Sequence, residues 1–130
     1  MAAPTPAQST LSENDRYVVR KVVIPVGGDA DVTATKVLDI STFTSGATGT
    51  DFIIHEVIFS LDGFSVTLHG DATADVALLT LAGTGHFTFD GLGALVNNAG
   101  SGKTGDMNLT TSGLGAATET GFIIFKIKKV

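Results

Sequence analysis

Phe52-Ile-Ile-His-Glu-Val-Ile-Phe-Ser-Leu61, then Asp62-Gly63, then Phe64-Ser-Val-Thr-Leu-His69 is the stretch that decides how this chain folds. Branched and aromatic side chains dominate it, and they fit a pleated strand better than a helix. Phe52, Ile54 and Ile58 fall on one face of the first run. Ile53, Val57, Phe59 and Leu61 fall on the other. A strand apolar on both sides is expected to be covered on both sides, with another subunit as one possible cover. Asp62-Gly63 is a hairpin signal. After it, Phe64, Val66 and Leu68 alternate inward while Ser65, Thr67 and His69 point out.

Working outward, the same texture recurs at short intervals. Tyr17 to Val26 is β-branched and broken by Pro25, and Gly27-Gly28-Asp29 is a turn. Thr33 to Phe43, Val76 to Leu81, His86 to Asp90, Asp106 to Thr111 and Phe122 to Val130 supply further strand candidates. No stretch has a convincing helical period. About eight short strands with Gly-rich turns predict an all-β fold, an antiparallel β-sandwich of jelly-roll-like form. Residues 1–15 are small, polar and Pro-containing, and are expected to form a flexible arm. Residues 16–130 are expected to form a single domain.

Composition narrows the function. At 130 residues the chain suits one domain and can bury a real core. Having no Cys, it has no disulfide, thiolate metal site or Cys nucleophile. Charged residues make up only 16% of it, which fits a subunit that covers much of its surface. Its net charge of −5 argues against nucleic acid as a partner. No apolar run reaches the ~18–20 residues of a membrane span, and Met1 to Asp15 lack the marks of a secretory signal, so cytoplasmic synthesis is expected.

Candidate chemistry is thin. Asn97-Asn-Ala-Gly-Ser-Gly-Lys-Thr104 ends like a phosphate loop, but Asn97 stands where the leading Gly is needed and no helix follows. His55, His69 and His86 lie on different predicted strands. The His-x-His pair with a following Glu, used by jelly-roll metalloenzymes of the cupin kind, is absent. No Gly-x-Ser-x-Gly elbow occurs. With no Trp and one Tyr, platforms for sugars are lacking. Neither catalysis, metal nor cofactor is expected. Lys126, Lys128 and Lys129 have two readings: edge-strand protection, or contact with an acidic partner.

Asp71-Ala-Thr-Ala-Asp75, Leu78-Leu-Thr-Leu-Ala-Gly-Thr-Gly85, His86-Phe-Thr-Phe-Asp-Gly91, Asn97-Asn-Ala-Gly100, Thr104-Gly-Asp106, Leu109-Thr-Thr-Ser-Gly113 and Phe122-Ile-Ile-Phe-Lys-Ile-Lys-Lys129 follow one another in the second half. In that order they resemble small virion proteins of tailed bacteriophages. The likeness is one of texture and motif order over Asp51 to Val130. Among such proteins are capsid decoration or cement proteins, so the resemblance implies a structural protein of the virion. It implies a homotrimer on the capsid surface that binds adjacent major capsid subunits and performs no catalysis. A tail, neck or fibre-associated module is the alternative, and a ligand-binding jelly roll using the histidines is the third reading.

The residues expected to meet a partner come from two segments. The arm offers Pro4, Pro6, Leu11 and Tyr17. The Gly-rich loop offers Leu92, Leu95, Val96, Asn97 and Asn98, because apolar side chains in a loop often mark a contact. The competing reading of Leu92, Leu95 and Val96 is that they plug one end of the sandwich.

Overall fold

In the computed structural model, residues 5–25, 30–42, 52–89, 95–96, 100–114 and 120–129 are described. Among the described residues eight strands form one antiparallel sheet folded over on itself: β1 (Ala7–Glu13), β2 (Tyr17–Ile24), β3 (Thr35–Leu38), β4 (Phe52–Gly70), β5 (Val76–Thr88), β6 (Leu95–Val96), β7 (Met107–Ser112) and β8 (Gly121–Lys129). The fold is all-β, an antiparallel sandwich of jelly-roll-like form.

β4 organises the sheet. Its first half pairs with β8, from Phe52↔Lys129 to Leu61↔Gly121. Its second half pairs with β7, from Ser65↔Ser112 to Gly70↔Met107. Along its other edge β5 follows it from Glu56 to Gly70, and β6 meets Ile53 and Ile54. One layer therefore holds β1, β2, β8, β6, the start of β4 and the end of β5. The other holds β3, β7, the end of β4 and the start of β5.

Asp62-Gly63 does not close a hairpin. The chain passes through it as one 19-residue strand. Gly63 takes φ 87° and Gly83 on β5 takes φ 71°, and there the β4–β5 ladder skips from Ser60↔Thr84 to Ser65↔Ala82. Four residues of β4 lie opposite one of β5, which bends the pair from the first layer into the second.

Within this one chain the core lies against a single face of β4. A bulge between Ile54 and Glu56 displaces His55 and changes which side chains face inward. Phe52 and Ile54 are buried before the bulge, Val57, Phe59 and Leu61 after it, and Phe64, Val66 and Leu68 beyond the Gly63 bend. Two phase shifts thus keep one face in the core, while Ile58 is left 37% exposed on the outside. A strict period of two cannot show this, because each bulge resets it.

The core joins these residues to Val18, Val22 and Ile24 on β2, Ile123, Phe125 and Ile127 on β8, and Met107 and Leu109 on β7. On its remaining side the sandwich closes with side chains. Arg20, on β2, donates from Nε to the Val37 carbonyl of β3 at 3.3 Å, and from its terminal nitrogens to Thr10 and Gln8 of β1 at 2.8 and 2.9 Å. Gln8 Nε2 in turn donates to the Lys36 carbonyl at 2.9 Å. Burial draws the Arg20 pKa down from its ordinary value, but a guanidinium stays charged.

The segment expected as an arm contains β1, which pairs with β2 from Ala7↔Val23 to Glu13↔Val18. Small polar residues suit an edge strand as well as a tail, so composition did not separate the two. The lysines of the last strand are not edge guards, because β8 lies between β2 and β4.

Asp31 fastens the outer turns. It accepts hydrogen bonds from the Leu114 amide and the Thr111 hydroxyl, both at 2.9 Å. These donors, the Leu114 amide foremost, hold its pKa below the usual carboxylate range. Asp75 is lowered in the same way by Asn108 and the Ala72 amide, and Asp39 by Ser41. A depressed folded pKa stabilises above the unfolded value, about 3.9, and that contribution disappears as pH falls through the lower folded value. Thermal melts from neutral pH downward are expected to show a steep decline below about pH 4. Asp31→Asn is expected to start lower at neutral pH and to decline less.

Candidate functional site

The outer face of the layer that holds β1, β2 and β8 is built from cross-strand rows. Val23 on β2 lies beside Phe122 on β8, which lies beside Ser60 on β4. In the next row Lys21, Ile124, Ile58 and His86 follow one another across β2, β8, β4 and β5. The row after that runs Val19, Lys126, Glu56 and Thr88. Alternation puts these side chains outside because Val18, Val22, Ile123, Phe125 and Val57 between them point into the core.

The face has two parts. Around Phe122 and Ile124 a shallow groove of about 410 Å³ is lined by Val23, Lys21, Ser60, Asp62 and the Thr120-Gly121 backbone. Gly121 has no room for a side chain there, since a Cβ would come within 2.8 Å of the Ser60 carbonyl oxygen.

The second part is polar, a cleft of about 270 Å³ among Tyr17, His55, Glu56, Thr88 and Lys126. The rings of Tyr17 and His55 meet edge to face at 5.6 Å. Lys126 Nζ lies 4.6 Å from the Tyr17 ring centre, a cation–π contact. His86 Nε2 pairs with Glu56 Oε2. The β4 bulge brings His55 and Glu56 to this side together. Strict alternation along β4 would put these two neighbours on opposite faces.

The histidines do not converge inside the fold. His55 and His86 are on this outer face. His69 lies on the outside of the other layer, beside Asn108 of β7, with its Nε2 buried and unpartnered. Among the described residues no group of three His, Cys, Asp or Glu is placed to hold a metal ion.

The Gly102-Lys103-Thr104 turn faces acid. Thr104 donates to Asp71 at 2.8 Å, and Asn108 Nδ2 bridges Asp71 and Asp75 at 3.0 and 3.1 Å. Gly102 takes φ 79° and lies against Thr73, where a Cβ would fall 2.1 Å from the Thr73 hydroxyl. A tightly closed turn of this kind pins the β4–β5 connection to the loop before β7.

The residues expected to meet a partner are dispersed. Pro4, Leu92, Asn97 and Asn98 lie outside the described residues. Pro6 is buried. Leu11 is the extra residue at a β1 bulge and is 53% exposed. Tyr17 belongs to the polar cleft. Leu95 lies on β6, is packed against the core and pairs with Ile54, which is the arrangement of a plug. Val96 pairs with Ile53. The outer rows around Phe122 and Ile124 were missed because both residues were assigned to a strand with no stated face. The available signal was Phe122-Ile-Ile-Phe125, apolar at even and odd positions alike.

No family model matches the chain. No curated protein matches it either. Among solved structures, a cupin domain from Bordetella pertussis Tohama I is similar at 13% identity, over 98% of both chains, with a TM-score of 0.42. A likeness that distant carries no argument about what this chain does. Among the described residues no helix is long and apolar enough to cross a membrane.

Proposed function

We propose that this chain is a structural subunit of a tailed-phage virion, decorating the capsid and cementing adjacent major capsid subunits, and that it acts by adhesion and performs no catalysis. One observation supports the reading best: an apolar strip on the outer face of a folded domain. Ile58 is 37% exposed, and Val19, Val23, Phe122 and Ile124 beside it are only half-buried. Contiguous apolar surface of this kind marks an interface. Lys21, Lys126 and Lys128 border it, although the chain as a whole is acidic. An apolar centre with a charged rim is the usual anatomy of a protein contact, and this rim fits an acidic partner surface. Naming the major capsid protein as that partner rests on the resemblance of the second half, and the homotrimer belongs to the same proposal.

The test uses capsids stripped of the protein. Adding the chain back is expected to restore resistance to heat and internal pressure. Ile124→Glu places a carboxylate in the strip without touching the core. It is expected to fold normally and to co-sediment with capsids at least about tenfold more weakly, a loss of about 1.4 kcal/mol or more. Capsids that are equally robust with and without the chain contradict the cementing role.

A further inference from the structure

The edges of this sheet are not treated alike. Among the described residues β1, β3, β5 and β6 each pair with one neighbour only. Exposed edges invite strand addition, and proteins commonly blunt them with charge, Pro, bulges or brevity. β1 is polar and bulged at Leu11. β3 is four residues long and carries Lys36, tied to Asp106 at 2.9 Å. β6 is two residues long. β5 runs for 13 residues, Val-Ala-Leu-Leu-Thr-Leu-Ala-Gly-Thr-Gly-His-Phe-Thr, with no Lys, Arg, Asp, Glu or Pro.

Its backbone is oriented for a partner. The Phe89 amide donates to the His55 carbonyl at 2.9 Å, at the end of the ladder Glu56↔Thr88, Ile58↔His86, Ser60↔Thr84. Alternation then turns the amides of Phe87 and Gly85 towards β4, and those of Thr88, His86 and Thr84 away from it. On the inner side of this edge Phe87 is 46% exposed, its ring 5.4 Å from that of Phe59. Gly85 beside it is bare because the Phe59 ring would stand 2.8 Å from any Cβ.

We propose that two copies of this chain join by antiparallel β5–β5 pairing over Thr84–Thr88, about a two-fold axis through His86. In that register Thr84 of each copy faces Thr88 of the other, and the outward amides and carbonyls of Thr84, His86 and Thr88 become a ladder. Phe87 of each copy faces Gly85 of the other in a non-hydrogen-bonded pair, where side chains stand closest. The large ring thus covers the residue that has none, and Phe59 and Phe87 of both copies form one aromatic cluster. A second copy is the fitting occupant because the segment is complementary to itself. It is also uncharged apart from His86, so two chains of net charge −5 meet through a neutral stretch. The pairing adds to the three-fold contact of the capsid reading, since trimers that also pair through β5 form a hexamer.

Native mass measurement on the full chain is the direct test. An even-numbered oligomer is expected: a dimer, or a hexamer where a three-fold contact forms as well. Phe87→Lys is expected to raise the dissociation constant of the pair at least about tenfold. Thr88→Pro removes an outward amide, keeps the bonds to β4, and is expected to do the same. In the unaltered chain, exchange of the His86 amide should slow as concentration rises. A wild-type chain that is monomeric or trimeric at every concentration overturns the proposal. So do variants that keep the even oligomer, or a His86 amide whose exchange ignores concentration. Because Phe87→Lys leaves the outer strip intact and Ile124→Glu leaves β5 intact, the two readings fail separately.

Discussion

Replacing Phe125 by alanine is expected to destabilise the fold by about 3–5 kcal/mol, the range for emptying a buried aromatic site. Phe125 is fully buried and lies on β8 between Arg20 of β2 and Val57 of β4. Its neighbours are held by ladders on both sides, so the wall has little freedom to collapse into the space. A domain of this size has about 5–15 kcal/mol in total, and such a loss leaves it near the unfolding threshold. Urea unfolding followed by far-ultraviolet dichroism measures the change. A loss under about 1 kcal/mol would mean that the two layers pack less closely than the burial indicates.

Gly121→Ala is the second large effect. The new Cβ would stand 2.7 Å from a Leu61 methyl, 2.8 Å from the Ser60 carbonyl oxygen and 3.1 Å from the Leu61 Cα. Two of those three are backbone atoms of β4 and cannot rotate away. The β4–β8 pairing must open at this end, at a cost of about 1–3 kcal/mol, as for other overpacked sites. Gly100→Ala supplies the contrast, since a Cβ there meets nothing within 4 Å. Its unfolding midpoint is expected to match that of the unaltered chain. Equal midpoints for both variants would show that the β8 end yields freely.

The strand content was legible because β-branched and aromatic runs recur between Gly-rich turns. The number of strands agrees with expectation through different bookkeeping. Leu61 and Phe64 were split by Asp62-Gly63, and Leu81 and His86 by Gly83 and Gly85, yet each pair lies on one continuous strand. The signals at Gly63 and Gly83 were real: both residues adopt positive φ. They mark a bend shared by two paired strands, and a local turn rule cannot separate that from a reversal, which depends on what lies opposite. β1 was hidden for a related reason. Its stability comes from pairing with β2 and from Arg20, not from its own side chains. The candidate surface was half legible: apolar residues were seen on both faces of Phe52–Leu61, but only the bulge at His55 decides that Ile58 is left outside.

The bent β4–β5 pair belongs to both layers without a break in its backbone. A tug applied to one sheet therefore reaches the other through covalent bonds, with no reliance on slip-prone side-chain packing. In the capsid role proposed above, that continuity would make the pair a tension rod, and the Arg20 side of the sandwich the first seam to gape under strain.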